Sequence, residues 1–532
     1  MTVRCLRITS IIIVSALLLA IAGCVPGFVD PLAEEEIINE PIEHHFDSMV
    51  SAAEINYVVP VSIPNILVNQ LGYLTDNTKM AIFRGENLPD SFDVVYAATG
   101  QVIYSGEIGE LVYNAAFDEH LSYGFFDDVT QPGLYYLEAK VVGRSYFFTI
   151  GDDLFASILE SAARQYYLNR CGVLLSETFA HHFARPACHI EAVALREDTE
   201  VFLDVSGGWH LDGDGFRDTF TTASIVTLLL LAHELYDGAT DDLIEIPALL
   251  DEIRHGVEWL RKMQDVTTGG VYAGVEIIAN ENDADIKTTS VMPVSVPATK
   301  MFCAAMAKFA YLYQGVNNAF ATECLRAADR AWRYLERNHT DLQDEIFFLA
   351  ACEMYRASGF HTYHRVATAY MNSEDFRLLF TEIPTGKSID TRQETILMGA
   401  VTYLLTRRWV DRRLCAELTE VILMLGDDVA TRSRLSPYLT TAHEKQSGNT
   451  DILTDMFVIS ITNFIIPNHE YMRIIENHVH YLCGRNSAAI SYIDDVGGLN
   501  YKDVDNRLGI MNHIETNTKL YFSLMGLRNN LN

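Results

Sequence analysis

The feature that most limits the fold of this chain is a change of hydrophobic period at Gly151. Before it, apolar residues come in short runs: Ile66–Val68, Met80–Phe83, Phe92–Tyr96, Val102–Tyr104, Leu134–Leu137 and Tyr146–Ile150. Turn residues such as Thr99-Gly100 and Gln131-Pro132-Gly133 separate them. Runs this short and this closely spaced predict a β-sandwich of about ninety residues. After Gly151 the period lengthens. Leu249, Ile253, Val257 and Leu260 recur at helical spacing behind Pro247, which suits a first helical turn. Met301, Ala305, Phe309 and Leu312 repeat the pattern. Further helical patterns cover about 155–170, 224–236, 321–336, 345–357, 395–406, 412–425, 452–464, 469–483 and 515–527. About eleven or twelve helices suit an all-α toroid in which helix pairs close into a barrel. No repeat of fixed period is visible, which argues against an open solenoid.

The first residues read as an export signal. Arg4 and Arg7 precede an apolar stretch, Ile11 through Ala22, that is short for a membrane span. It ends in Ile21-Ala22-Gly23-Cys24, the pattern at which bacterial lipoproteins are cleaved and acylated. The competing reading is an ordinary signal peptide with a chance cysteine. The expected divisions are a signal peptide over 1–23, an acidic linker over 24–62, the sandwich over 63–151 and the helical domain over 152–532. The mature protein is expected outside the cytoplasmic membrane, anchored at the cell surface by acyl chains on Cys24. Seven cysteines remain after Cys5 and Cys24, an odd number that argues against a full disulfide framework. Those within apolar helical patterns, such as Cys303 and Cys352, are expected to be small buried hydrophobes.

A formal charge of −32 excludes nucleic acid and anionic lipid headgroups as natural partners, because that field repels polyanions. A neutral polysaccharide meets no such repulsion.

Specific segments then carry a resemblance. Ile66-Leu67-Val68-Asn69-Gln70-Leu71-Gly72-Tyr73, Gln131-Pro132-Gly133-Leu134-Tyr135 and Tyr146–Gly151 resemble the immunoglobulin-like module that precedes many bacterial family 9 glycoside hydrolases, the cellulase family. In the helical part the similar segments are Arg170-Cys171-Gly172, Pro186-Ala187-Cys188-His189, Asp204 through His210, Leu250 through Arg254, Ser447-Gly448-Asn449 with Asp451-Ile452-Leu453, and Gly484-Arg485-Asn486. They run in family order. The resemblance implies a mainly α fold, an (α/α)6 barrel preceded by an all-β immunoglobulin-like sandwich. Its loops would form an open cleft for a β-1,4-glucan chain.

Inverting hydrolysis in such a cleft needs a carboxylate that activates water and a carboxylic acid that protonates the leaving oxygen, roughly 6.5–9.5 Å apart. Against the family pattern, Asp214 matches the water-activating base. Leu211 replaces the aspartate that helps hold the water, and Asp212, one position on, could support the base only through a shifted loop. On the alternative reading Asp212 and Asp214 are plain loop carboxylates. Counting back from Asn517-Thr518-Lys519-Leu520 places Met511 at the general-acid position, and methionine donates no proton. Glu515, one helical turn on, is a displaced acid if its loop has moved, or else a carboxylate placed at a helix N-terminus by the dipole. The segment from Asn486 to Asp503 lacks the family's sugar-gripping His-Arg pair, and His513 matches no family position.

Cys171, Cys188, His189 and His210 are two thiols and two imidazoles, a set that suits structural zinc. The resemblance implies such a site, with His210 tying the metal to the loop that holds the base. A Cys171–Cys188 disulfide is the alternative. Acidic loops permit calcium as well, but no EF-hand spacing is present and no ligands are assigned. Of four tryptophans, Trp259 and Trp332 are expected in the core, while Trp209 is expected to contact substrate. Three functions follow: a surface-anchored hydrolase of β-1,4-glucan, a catalytically impaired lipoprotein that binds polysaccharide, or cleavage of another β-linked sugar, for which nothing speaks directly.

Overall fold

In the computed structural model the described residues are 63–531, apart from Asp214, 281–282, 340–341, 384, 443–448, 495, 499–501 and 503–508. The signal segment, the acidic linker, Cys24, Asp214 and the Ser447-Gly448 pair therefore lie outside the described residues.

The predicted short strands assemble into two facing sheets. One has the spatial order Ile66–Leu67, Met80–Arg84, Glu119–Phe125, Val112–Asn114. The other runs Gly72–Leu74, Phe148–Gly151, Gly133–Ala139, Ser91–Tyr96, Gln101–Glu107, with Gly143–Arg144 also paired to Gly133–Ala139. All of these pairings are antiparallel except that of Phe148–Gly151 with Gly72–Leu74. Alternation decides which side chains go inward: along Gly133–Ala139 the buried residues are Tyr135, Leu137 and Ala139. They meet Phe83, Phe92, Val94 and Phe126 in a core that mixes aromatic and aliphatic side chains. The strands Glu119–Phe125 and Val112–Asn114 had no clear period in the sequence.

Twelve helices of eight residues or more follow among the described residues: α1 (Phe155–Leu168), α2 (Thr219–Leu235), α3 (Leu249–Lys262), α4 (Val296–Tyr313), α5 (Asn318–Asn338), α6 (Glu345–Ser358), α7 (His361–Met371), α8 (Thr391–Leu405), α9 (Arg412–Leu435), α10 (Asn449–Ile465), α11 (His469–Leu482) and α12 (Ile514–Leu531). Even- and odd-numbered helices differ in kind. In α2 every residue from Ile225 to Ala232 is buried, so the helix is enclosed on all sides. In α3 burial is confined mainly to Leu249, Glu252, Ile253, Gly256, Val257 and Leu260, one stripe of an amphipathic helix. The even helices contact one another in the order α10, α12, α2, α4, α6, α8. Thr454 on α10 donates to Glu394 on α8 at 2.7 Å and so links the two ends of that order. The odd helices pack outside them, giving an inner and an outer ring of six. The fold is the expected one: a helical barrel preceded by a sandwich. Helix α7 and an antiparallel hairpin, Gly274–Asn280 with Asp283–Val291, were not anticipated.

One end of the inner ring is closed by buried charge. Lys308 on α4 reaches Glu353 on α6 at 3.0 Å and Glu234 on α2 at 3.2 Å. Arg356 reaches Glu234 at 2.6 Å and Glu353 at 2.8 Å, while Thr402 on α8 donates to Glu353 at 2.7 Å. Two cations and two carboxylates thus neutralise each other with almost no water. Removing one partner strands the others: Glu353→Ala is expected to cost about 3–5 kcal/mol. A lowered urea midpoint measures this, with the exposed Glu374→Ala as a control within about 0.5 kcal/mol of wild type.

Candidate active site and metal centre

The inner helices begin at the opposite end of the ring, where their first turns surround the axis. Asp218 caps α2 by accepting from Thr221 N–H at 2.7 Å, and Asp344 caps α6 through Phe347 N–H at 2.8 Å. Asp390 caps α8 in a reciprocal box with Gln393. Between these turns lies a cavity of about 190 Å³, lined by apolar side chains such as Phe220, Met301 and Met398 and by Glu394, Glu515 and Lys519. Lys519 forms an ion pair with Glu394 and donates to Thr454 Oγ1 at 2.8 Å. Neither Lys519 nor Glu394 was singled out as a site residue from the sequence. Both lie in polar helix starts, Arg392-Gln393-Glu394 and Glu515 through Lys519, where nothing local marks one charge over another.

The loop leading into α2 is held from below. Gly208 has a φ of 75°, and a Cβ there would stand 2.7 Å from the Trp259 ring, so only glycine fits. Trp209 is fully buried, and this corrects the expectation that it contacts substrate. Its ring lies edge-on to Tyr166 at 5.9 Å and packs on Gly256, where an added Cβ would be 2.4 Å away. No face is left for a sugar to stack on. Its Nε1 donates to Glu252 Oε1 at 2.8 Å, and Arg170 pairs with the same carboxylate at 2.8 Å. The Arg170 and Glu252 segments were legible one by one, but not their convergence under Trp209.

Leu211 is half-buried and packs against the core. The exposed Asp212 accepts from Gly215 N–H at 2.8 Å and Phe216 N–H at 2.9 Å through one oxygen, so it closes a turn. Met511 is buried at 1% exposure. Glu515 is exposed in the first turn of α12 and faces the axial cavity, and His513 is exposed nearby. The structure thus brings Glu515 to the mouth of the ring and keeps Met511 inside the protein.

The four residues read as metal ligands converge. The donor atoms of Cys171, Cys188, His189 and His210 all lie within 4.8 Å of one another. Tetrahedral sulfur and nitrogen ligands at metal distances are roughly 3.3–3.8 Å apart. Cys188 Sγ and His210 Nε2 are already 3.6 Å apart. Both cysteines are free thiols, which removes the disulfide alternative. Burial pushes the Cys171 thiol up to about 11 and the His210 imidazole down to about 4. A neutral imidazole has its lone pair ready for a metal, and a bound cation would displace the thiol proton. The donor set, its spacing and its burial fit a tetrahedral divalent ion. Gly215 packs on His189, where a Cβ would meet the ring at 2.6 Å, so the cluster braces the loop from behind.

The described residues thus form a helical double ring with a sandwich before it, an axial cavity among the inner helix starts and a Cys/His cluster behind the loop that enters α2. Residues 155–521 match glycosyl hydrolase family 9, and residues 62–144 match the cellulase N-terminal ig-like domain. The chain belongs to glycosyl hydrolase family 9. It is 23% identical over 498 residues to endoglucanase D of Acetivibrio thermocellus, covering 85% of this chain and 76% of that one. It is 25% identical over 489 residues to a cellodextrinase of Butyrivibrio fibrisolvens, covering 85% and 88%. The fold is shared with a metagenome-derived family 9 endoglucanase at TM-score 0.75 and 24% identity, covering 87% of this chain and 98% of that one.

The Cys/His cluster should take up about one divalent ion per chain by elemental analysis after dialysis. Cys171→Ser and His210→Ala should each bring that figure close to zero, whereas Cys415→Ser should leave it unchanged.

Proposed function

We propose that this chain is a lipid-anchored surface protein that takes β-1,4-linked glucan into the mouth of its helical ring, where it supports strongly attenuated inverting hydrolysis. Family membership and the endoglucanase and cellodextrinase relatives support the substrate class. The observation that carries the attenuation is Met511, a buried side chain without a transferable proton, at the position where the family resemblance puts the general acid. In this reading Asp214 activates water. Leu211 cannot help to hold that water, and Asp212 spends a carboxylate oxygen on its own turn. Of the two carboxylates lining the axial cavity among the described residues, Glu394 is engaged by Lys519 and Thr454. Glu515 remains to deliver a proton. Zinc at Cys171, Cys188, His189 and His210 would fix the loop and take no part in bond cleavage. Cys24 would carry the acyl chains, with the acidic residues 24–62 as a stalk.

The second reading is a non-catalytic glucan-binding lipoprotein, favoured by the same buried Met511. Loss of a general acid costs about 10²–10⁴ in rate, so release of reducing ends from a soluble β-1,4-glucan should be slower than in acid-bearing relatives by that factor. Asp214→Asn should abolish what remains and Glu515→Gln should lower it further, with glucan binding by affinity electrophoresis preserved in both. Equal activity in Asp214→Asn would remove the base assignment, and binding with no product in wild type would establish the second reading. For the anchor, Cys24→Ala should move the protein from the membrane to the soluble fraction.

A further inference from the structure

Where the sandwich meets the end of α9 and the length of α11, the two enclose a cavity of about 230 Å³, well away from the mouth of the ring. Its wall includes Arg485, a side chain only 1% exposed. One of its terminal nitrogens donates to Asn477 Oδ1 at 2.6 Å, and its Nε has no hydrogen-bond partner among the described residues. The hydroxyl of Ser433, also 1% exposed and on the same wall, has no partner either. Buried polar groups are normally satisfied, so two such groups on one cavity wall leave hydrogen-bonding capacity that a small polar ligand would meet.

The charge around the cavity says what kind. Arg485 forms no ion pair with a described residue, and Glu476 acts on it only through space. Glu476 is itself a weak counter-ion: it accepts from Asn77 at 3.0 Å, and burial pushes its carboxyl pKa up. His480, 3.7 Å from Glu476, is held neutral by burial. At the rim, Arg434 is paired with Glu470 at 3.1 Å, whereas the exposed Arg473 has no ion pair among the described residues. A buried guanidinium without a close anion is costly, and its planar fork matches a carboxylate or phosphate group. The volume is below the roughly 300–1,000 Å³ of sites for larger ligands, which excludes an oligosaccharide.

We propose that this cavity binds a small oxyanion, a carboxylate or phosphate group, gripped by Arg485 from within and by Arg473 from the rim, with Ser433 donating its hydroxyl. The ligand would be held by the helical side of the cavity beneath the sandwich residues Thr78, Met80 and Phe125, independently of any turnover at the mouth.

Thermal unfolding of the full-length protein tests this, with sodium phosphate and sodium acetate titrated separately against sodium chloride at matched ionic strength. A ligand that binds only the folded state raises the midpoint in a saturable way. Phosphate or acetate should do so and chloride should not, and the responding arm identifies the group. Arg485→Lys should lose the response. Because Arg485 also belongs to the core, the exposed Arg473→Ala is the deciding variant. It should unfold at the wild-type midpoint in chloride and need at least about tenfold more oxyanion for the same shift. No shift beyond chloride in either arm, or an Arg473→Ala response equal to wild type, would overturn the proposal.

Discussion

A helix buried on nearly every face, as α2 is, has one stable place in water, the centre of a ring of other helices. That constraint organises the rest of this protein. The inner helices must be covered, so six amphipathic helices surround them with one stripe inward and the remainder to solvent. Inner helices in one ring run the same way, so their N-termini gather at one end. Backbone donors, capping carboxylates and the loops entering each helix therefore crowd the same mouth.

Charge inside such a ring is tolerated only in neutralised sets, and the two ends handle it differently. At the closed end Lys308, Arg356, Glu234 and Glu353 cancel one another in almost complete burial. At the mouth Lys519 and Glu394 form a smaller pair beside an open cavity, with Glu515 left facing the space. The loop over this mouth owes its position to groups behind it: Glu252 receives both Arg170 and Trp209, and the Cys/His cluster lies against Gly215. The described part of the loop is thus fixed by packing and by buried charge before any substrate arrives.

Much of this was legible in advance because it depends on local periodicity. The change of period at Gly151 separates strands from helices, and the stripe Leu249, Ile253, Val257, Leu260 is an outer helix in the structure. The four Cys/His residues were also legible, although their scattered spacing was weak evidence by itself and the family resemblance selected them. Trp209 shows where the reading failed. An aromatic residue in such a loop looks the same in sequence whether it faces solvent or core, and only Tyr166 and Gly256 closing over it decide the matter. Helix α7, with polar and aromatic residues around much of its surface, had too weak a stripe to be read.

What the sequence determined by itself was the class of most elements and the presence of two cysteines and two histidines as a donor set. These follow from side-chain type and short-range spacing. Only the tertiary structure decided which helices go inside, that Lys519 meets Glu394 across the ring, that Arg170 and Trp209 share one carboxylate, and that Arg485 faces a cavity between sandwich and helices. Partners such as Lys519 and Glu394 are more than a hundred residues apart, and no local rule brings them together. Closure of the ring does so, by burying apolar surface along its whole length and carrying the charged groups with it.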